Sequence, residues 1–127
     1  MDKMKNVLIS IRPQWCEKIT SGEKTIEVRK TAPKCEVPFK AYVYCTKAKN
    51  QWRFSDYEGA YENSKGEIVC AQQRVAAEFV CDSTANGWHI SDLKIYDEPK
   101  KLNEFGRFDG TVPMKRPCAP WCYVKER

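Results

Sequence analysis

The chain has 127 residues, of which 42% are hydrophobic and 31% are charged, and its formal net charge is +5. This composition is typical of a globular protein and excludes a disordered or fibrous chain. No apolar run approaches the ~20 residues that span a bilayer, so we expect residues 1–127 to form a single domain without a membrane segment.

The positive charge is unevenly distributed. Residues 1–53 hold 12 Lys and Arg against 5 Asp and Glu, whereas residues 54–127 hold 10 against 12. Either a face for a polyanion or an ordinary lysine-rich surface explains this asymmetry. The N-terminal residues show neither an apolar signal region nor a small-residue cleavage site, so we expect a cytoplasmic protein.

The first predicted elements are a strand and a short helix. Residues 7–12 are rich in β-branched and apolar side chains, which favours a strand. Pro13 ends that strand and suits the first turn of a helix, where its missing N–H is not needed. We expect this helix over residues 13–21, ended by Gly22. Its inner face is expected to hold Trp15, Cys16 and Ile19.

A second strand is predicted from strict alternation. Residues 24–30 alternate polar and apolar side chains with a period of two. Ile26 and Val28 are expected to face the core. The polar side chains then share the opposite face: Thr25, Glu27 and Arg29.

The middle of the chain contains one strong strand and one polar stretch. Residues 39–46 are rich in Tyr and Val and predict a third strand. Residues 47–63 predict a long loop, which could cover a pocket or form a small satellite cluster. The aromatic side chains of this loop are Trp52, Phe54, Tyr57 and Tyr61.

The C-terminal half is predicted to consist mostly of strands. Residues 66–82 form the longest β-like stretch and indicate one bent or bulged strand. Residues 88–96 alternate again, and we expect their strand to end before Pro99. A helical turn over residues 102–105 and a closing strand over residues 121–124 follow. This pattern favours an α+β fold around a mostly antiparallel sheet that closes into a small β-barrel.

The seven cysteines do not form a metal-binding pattern. Most lie in apolar stretches, where a thiol behaves as a small hydrophobic side chain. Cys118 and Cys122 come nearest to half of a zinc site, but no second half matches them and the chain has one histidine. We therefore expect no metal and no cofactor, and in a reducing cytosol no disulfides.

A strand, a helix and the segment G-x-K-T-x-E-x-R occur together in residues 9–30, and this arrangement resembles the opening of an ASCH domain. Residues 88–96 and 117–124 resemble small stand-alone ASCH proteins of bacteria and their prophages. The resemblance covers nearly the whole chain. It implies a PUA-like β-barrel with one or two short helices, a cleft beside the first helix, and binding of RNA or a nucleotide.

The resemblance also implies that the cleft uses Lys24, Thr25, Glu27 and Arg29. Glu27 can accept a hydrogen bond from an exocyclic amine, as carboxylates do with cytosine, and Arg29 can orient it. Lys24 and Arg12 can contact phosphate, and Trp15 can stack on a base.

Each of these residues also has an ordinary structural explanation. Glu27 and Arg29 could form a surface ion pair of about 0–1 kcal/mol. Trp15 could belong to the core, since it is predicted on the inner face of the helix. His89 could be a barrel residue or could line the cleft, and the sequence leaves both explanations open.

Enzymatic activity is a second possibility. Some small ASCH proteins resemble amidohydrolases that deacetylate N4-acetylcytidine with a lysine, a threonine three residues later and a distant glutamate. Lys24 matches the lysine, but Glu27 stands where the threonine is expected, and no residue matches the glutamate. Thr25 is about 6.6 Å from position 27 along a strand, whereas a nucleophile and its base must lie within roughly 3 Å. A binding module is therefore favoured over an amidohydrolase that uses Lys24 and Glu27, and a phage-accessory protein-interaction domain is the third hypothesis.

Overall fold

A computed structural model describes residues 5–34, 36–47 and 59–127. Over these residues the chain forms nine strands, one α-helix and one 3₁₀ helix. Their bounds are β1 Asn6–Ile11, α1 Pro13–Thr20, β2 Ile26–Glu27, β3 Phe39–Cys45, β4 Ala60–Glu62, β5 Ile68–Cys70, β6 Arg74–Cys81, β7 Trp88–Lys101, the 3₁₀ helix Leu102–Glu104, β8 Phe105–Arg107 and β9 Trp121–Glu126. None of the described helices is long and apolar enough to cross a membrane.

Seven strands form one sheet in the order β2-β7-β6-β3-β1-β9-β8, and β4 pairs with β5 separately. β1 and β3 run parallel, which requires a long connection, and α1 lies within it. All other neighbouring strands are antiparallel. The predicted mixture of a mostly antiparallel sheet with a short helix is confirmed. Within the described ranges no ladder joins β2 to β8, so closure into a barrel stays a prediction.

The sheet is buried on both faces at its centre. Val7, Ile9 and Ile11 of β1 point into a core cluster that also contains the inner face of α1. Leu8 points the other way, into a second cluster with Tyr42 and the strands at the C-terminal end. Because β1 is covered on both sides, its sequence is a continuous apolar run rather than an alternating one.

The helix α1 begins at Pro13 and ends just before Gly22, as predicted, but the predicted burial of one residue on its inner face is wrong. Pro13 occupies the first turn, and Gly22 follows the helix with a φ of +83°, a conformation that favours glycine. The buried positions recur at helical spacing and are Pro13, Cys16, Ile19 and Thr20. Trp15 lies beside this stripe and is 40% exposed, so its predicted place in the core is wrong.

The second predicted strand is shorter than expected and its faces are reversed. Only Ile26 and Glu27 pair with β7. Ile26 is 36% exposed and Val28 is 72% exposed, whereas Glu27 is 5% exposed. The prediction that Ile26 and Val28 face the core is therefore wrong. β2 lies at the edge of the sheet, and Glu27 is buried because cationic side chains approach it there.

The stretch that follows β3 contains an unpredicted hairpin. The expected single strand over residues 66–82 is two strands, β5 and β6, separated by Gln73, whose φ is +60°. β5 pairs with β4, which lies in the predicted loop over residues 47–63. Residues 48–58 of that loop, with Trp52, Phe54 and Tyr57, lie outside the described residues. Tyr61 is buried in the main core, and its hydroxyl donates to the Tyr96 carbonyl at 2.6 Å.

Two further expectations for the C-terminal half need correction. β7 continues through Pro99 to Lys101, because Pro99 lies where the register between β6 and β7 shifts and no ladder N–H is needed. The predicted helical turn is confirmed as a 3₁₀ helix. The strand that follows it, β8, was not predicted.

Three of the described cysteines lie in the core as expected, whereas Cys70 is exposed. Cys16, Cys45 and Cys81 are buried in the main core as small hydrophobic side chains. Cys118 and Cys122 form a disulfide, which corrects the expectation of none. The segment between them bends and brings their Cα atoms to 5.9 Å, within the range that a disulfide requires.

A charged cluster on β6 gives the protein a predictable acid sensitivity. Lys40 Nζ lies 3.0 Å from Glu78 Oε2, and the Tyr96 hydroxyl donates to Glu78 Oε1 at 2.8 Å. Burial raises the pKa of Glu78, but the hydrogen bonds from Lys40 and Tyr96 outweigh burial and leave this pKa below its ordinary value of 4.5. A lowered folded-state pKa adds stability above the unfolded-state value, and this stability disappears as the pH falls through the folded-state value.

We therefore expect Glu78→Gln to lower the free energy of unfolding at pH 7 and to flatten its decline below about pH 4.5. Urea unfolding at pH 7 and between pH 3 and 4 measures both effects. Glu98→Gln, on the exposed part of β7, is the matched control and should leave the pH profile unchanged. Equal profiles for the two variants would contradict the assignment of this acid sensitivity to Glu78.

The position of β2 depends on Gly87, which lies in the turn immediately before β7. Its φ is +129°, and a Cβ there would lie 2.6 Å from Ile26 Cγ2 and 3.1 Å from the Glu27 carbonyl oxygen. We expect Gly87→Ala to lower the free energy of unfolding by about 1–3 kcal/mol, because β2 must move. Gly66→Ala is the control, since its φ is +76° but the nearest atom to its new Cβ, Glu62 Oε1, would be 3.6 Å away. Thermal unfolding should show the larger loss at Gly87, and an equal loss at both would point to backbone strain alone.

Candidate functional site

The candidate site is a buried carboxylate between two cations. Glu27 Oε1 lies 3.1 Å from Lys24 Nζ, and Glu27 Oε2 lies 3.0 Å from Arg29 Nε. The side chains of Lys24 and Arg29 are 20% and 22% exposed, whereas that of Glu27 is 6% exposed. Glu27 and Arg29, which were expected on one face, are in contact, and Lys24 joins them; we call these three residues the Lys24–Glu27–Arg29 group.

The group retains hydrogen-bonding capacity. Glu27 Oε1 and Arg29 Nε are buried, and among the described residues neither atom has a hydrogen-bond partner. Their ion-pair distances are short, but the atoms are not aligned as hydrogen bonds. A buried acceptor and a buried donor of this kind can be satisfied by a ligand that offers the complementary groups.

Arg29 also ties the group to the centre of the sheet. Its terminal nitrogen donates to the Ser10 carbonyl of β1 at 2.6 Å. The Ser10 N–H donates in turn to the Pro120 carbonyl at 2.9 Å, at the start of β9. The guanidinium is therefore held by contacts on two sides, which limits the positions that it can adopt.

Trp15 forms one wall beside the group. Lys24 Nζ lies 4.7 Å from the centroid of the Trp15 ring, a cation–π distance. Such a contact is worth about 0.5–1 kcal/mol at an exposed position. Trp15 therefore stands next to Lys24 at the surface, where a planar ligand could stack on its ring.

Local backbone contacts explain why the group assembles. The Lys24 N–H donates to the Lys18 carbonyl at 3.0 Å, which returns the chain toward α1 directly after Gly22. The Thr25 carbonyl then accepts from the Ile90 N–H at 2.8 Å and starts the pairing of β2 with β7. These contacts bring a helix end and an edge strand together, and the charged side chains lie between them.

Three sequence candidates do not join the group. Arg12 and Thr25 are exposed, and neither side chain makes a hydrogen bond or ion pair with the described residues. His89 pairs with Ile26, so it lies on the opposite face of the ladder from Glu27. The His89 ring nitrogen Nε2 lies 2.7 Å from the Ala85 carbonyl, and the open question of whether it lines the site is answered against it.

A separate hollow lies beside α1. Its volume is about 620 Å³, and it does not include the Lys24–Glu27–Arg29 group. The lining residues are Gln14, Glu17, Lys18, Thr20, Ser21, Glu23, Ala60, Tyr61 and Glu62. Of the G-x-K-T-x-E-x-R segment, Glu23 lines this hollow, and the cleft that the resemblance implies for Lys24, Thr25, Glu27 and Arg29 stays a prediction. In the described parts of the chain no set of three His, Cys, Asp or Glu residues could hold a metal ion.

Two tryptophans near the group were not singled out from the sequence. Trp88 Nε1 donates to the Thr31 carbonyl at 3.2 Å, and Trp121 Nε1 donates to Thr31 Oγ1 at 3.0 Å. Their rings pack edge to face at 6.2 Å. Both therefore fix the segment that follows Arg29. The only hint in the sequence was the aromatic residues that follow Pro120. Their contacts with Thr31 could not be predicted, because the two segments are about 90 residues apart in the chain.

Comparisons of the chain with protein-family models, curated proteins and solved structures find no match. The ASCH resemblance therefore stays a prediction, and a function must be argued from the geometry of the site.

The burial of Glu27 makes its contribution to stability measurable. We expect Glu27→Gln to lower the free energy of unfolding by about 1–3 kcal/mol, less than for a fully buried pair because Lys24 and Arg29 remain partly hydrated. Chemical denaturation at neutral pH measures the change. The control is Glu23→Gln, because Glu23 pairs with Lys18 at 3.4 Å with both side chains at least half exposed. Its expected effect is within about 0.5 kcal/mol, and a similar loss for both variants would contradict a special role for Glu27.

Proposed function

We propose that the chain is a PUA-like module of the small bacterial and prophage ASCH type, which binds RNA or a modified nucleotide in the cytoplasm. The order of strand, helix and second strand at the N-terminus supports this proposal, as does the mostly antiparallel sheet. Closure of that sheet into a β-barrel is part of the same proposal. The ligand would contact Lys24, Glu27, Arg29 and Trp15.

The observation that carries the proposal is the buried carboxylate between two partly exposed cations beside an exposed tryptophan. The two cations exceed the carboxylate by one positive charge, which favours an anionic ligand. Lys24 and Arg29 can contact phosphate, and Glu27 Oε1 can accept from an exocyclic amine such as that of cytosine. The Trp15 ring can stack on the base.

A purely structural role explains only part of this arrangement. The contacts of Glu27 with Arg29, and of Arg29 with Ser10, would hold β2 in place without any ligand. They do not require an aromatic ring at the surface with a lysine over it. The excess of basic residues within residues 1–53 favours the same conclusion, because this part of the chain contributes the whole group.

Fluorescence anisotropy with a labelled single-stranded oligoribonucleotide tests the proposal. Binding should be detectable at low salt and should weaken linearly with the logarithm of the salt concentration. Lys24→Ala should reduce the magnitude of that slope by about 0.7, the loss of one phosphate contact to a single strand. Trp15→Leu should weaken binding about tenfold through the lost stacking.

Lys65→Ala is the matched control, since Lys65 is exposed in the turn between β4 and β5, and it should leave the slope unchanged. If the wild-type protein does not bind RNA even at low salt, the proposal is wrong and a protein-interaction domain becomes the better hypothesis.

One observation favours an amidohydrolase as the second candidate. Lys24 Nζ and Glu27 Oε1 are 3.1 Å apart, within reach of an acid–base pair. Thr25 is exposed and its hydroxyl forms no hydrogen bond with Lys24 or Glu27, so the group lacks the hydroxyl nucleophile that the resemblance implies. Release of acetate from N4-acetylcytidine that is abolished in Lys24→Ala would favour this candidate over simple binding.

A further inference from the structure

The side chains of β9 alternate between the two faces of the sheet. Cys122 and Val124 point into the second core cluster, and Glu126 contacts Lys100 on that same side. Trp121 and Tyr123 point the other way, where they are half-buried against the main core and pack edge to face at 5.6 Å. The alternation of the strand therefore keeps the acidic side chain of β9 away from its aromatic face.

Two basic residues continue this aromatic face. Gly106 of β8 pairs with Lys125 of β9. A Cβ on Gly106 would lie 2.6 Å from Gly110 Cα, which shows that the turn after β8 folds over this face. Lys125 and Arg127 both meet this turn: a Cβ on Gly110 would lie 3.1 Å from Lys125 Cβ, and Arg127 Nε donates to the Gly110 carbonyl at 3.0 Å. Both basic side chains thus lie on the side of Trp121 and Tyr123. We call these four residues the β9 row: Trp121, Tyr123, Lys125 and Arg127.

The β9 row is continuous with the Lys24–Glu27–Arg29 group. Trp121 Nε1 donates to Thr31 Oγ1, two residues after Arg29. The Arg29 guanidinium and the Pro120 carbonyl both bind the backbone of Ser10, on its carbonyl and its N–H respectively. Only one residue of β1 separates Arg29 from the start of the row.

We propose that the β9 row extends the nucleotide site, so that the ligand is a single-stranded RNA segment of several nucleotides rather than a free nucleotide. This inference rests on the proposed function. Bases stack against Trp121 and Tyr123, and phosphates contact Lys125 and Arg127. The row is roughly 20 Å long, since side chains on one face of a strand recur about every 6.6 Å. A basic groove with aromatic rings is how proteins bind single strands without a fixed sequence.

The composition of the row favours a single strand over other polyanions. Lys125 and Arg127 alone would suit a duplex or an anionic membrane as well. Trp121 and Tyr123 add ring surface that only unpaired bases can use, because bases in a duplex are already stacked on each other. The ligand class therefore follows from the combination of rings and charges on one face.

A length series tests the extension directly. Fluorescein-labelled oligocytidylates of three, six and nine nucleotides are compared with cytidine monophosphate, whose affinity is measured by calorimetry. Wild-type affinity should rise at least tenfold from the mononucleotide to the six-nucleotide strand. The double variant Lys125→Ala/Arg127→Ala should reduce the magnitude of the salt slope for this strand by about 1.4, which corresponds to two lost phosphate contacts.

Two controls separate this effect from general changes in charge or stability. Lys65→Ala/Lys94→Ala removes the same charge from exposed positions outside the row and should leave the slope unchanged. Tyr123→Leu keeps an apolar side chain against the core but removes the ring face, and it should weaken binding of the six-nucleotide strand about tenfold. A duplex of the same length should bind more weakly than the single strand.

The outcomes distinguish the two proposals. If the wild-type protein binds the mononucleotide and the six-nucleotide strand equally, or if Lys125→Ala/Arg127→Ala behaves like its control, the extension is overturned and the proposed function stands. Preference for the duplex, or binding to phosphatidylserine vesicles in place of the oligonucleotide, also overturns the extension. Binding of neither nucleotide nor strand overturns both proposals.

Discussion

The burial of one carboxylate determines how the N-terminal third of this protein is organised. Removing a carboxylate from water costs several kcal/mol unless opposite charges and hydrogen bonds replace the lost hydration. Glu27 is almost fully buried, and Lys24 and Arg29 each approach one of its oxygens. For both cations to reach it, the chain must turn sharply after α1 and keep β2 short. The end of the helix, the edge strand and the segment toward Ser10 are thus coupled through a single side chain.

This coupling also explains why alternation was misleading at β2. The period of two correctly indicated a strand, and it correctly grouped Glu27 with Arg29. It could not indicate which face is buried, because apolar side chains are normally the buried ones. At an edge strand with one neighbour, two cations can compensate a buried carboxylate while Ile26 and Val28 remain exposed. Periodicity contains no information about such compensation, which depends on residues outside the strand.

Elements set by local chemistry could be predicted, and contacts between distant segments could not. Pro13 and Gly22 mark the helix because their backbone preferences act within a few residues. The parallel pairing of β1 with β3 and the pairing of β4 with β5 depend on chain topology, which the sequence pattern does not specify. The disulfide between Cys118 and Cys122 was missed because a cellular compartment was assumed, although their spacing allowed it. In the candidate site, the residue types of the charged trio and of Trp15 could be named from the sequence, but the burial of Glu27 between two cations could not.

β9 shows when alternation can be trusted. This strand has neighbours on both sides, so the pairing with β1 and β8 determines which face each side chain occupies. Cys122 and Val124 fill the core cluster on one face, and on the other face the turn after β8 lies against Lys125 and Arg127. Basic side chains at such positions are ordinary alone, but here they follow two half-buried aromatic rings and lead to a site with excess positive charge. The proposed polyanionic ligand would account for this combination of rings and charges, which connects through Ser10 to the Lys24–Glu27–Arg29 group.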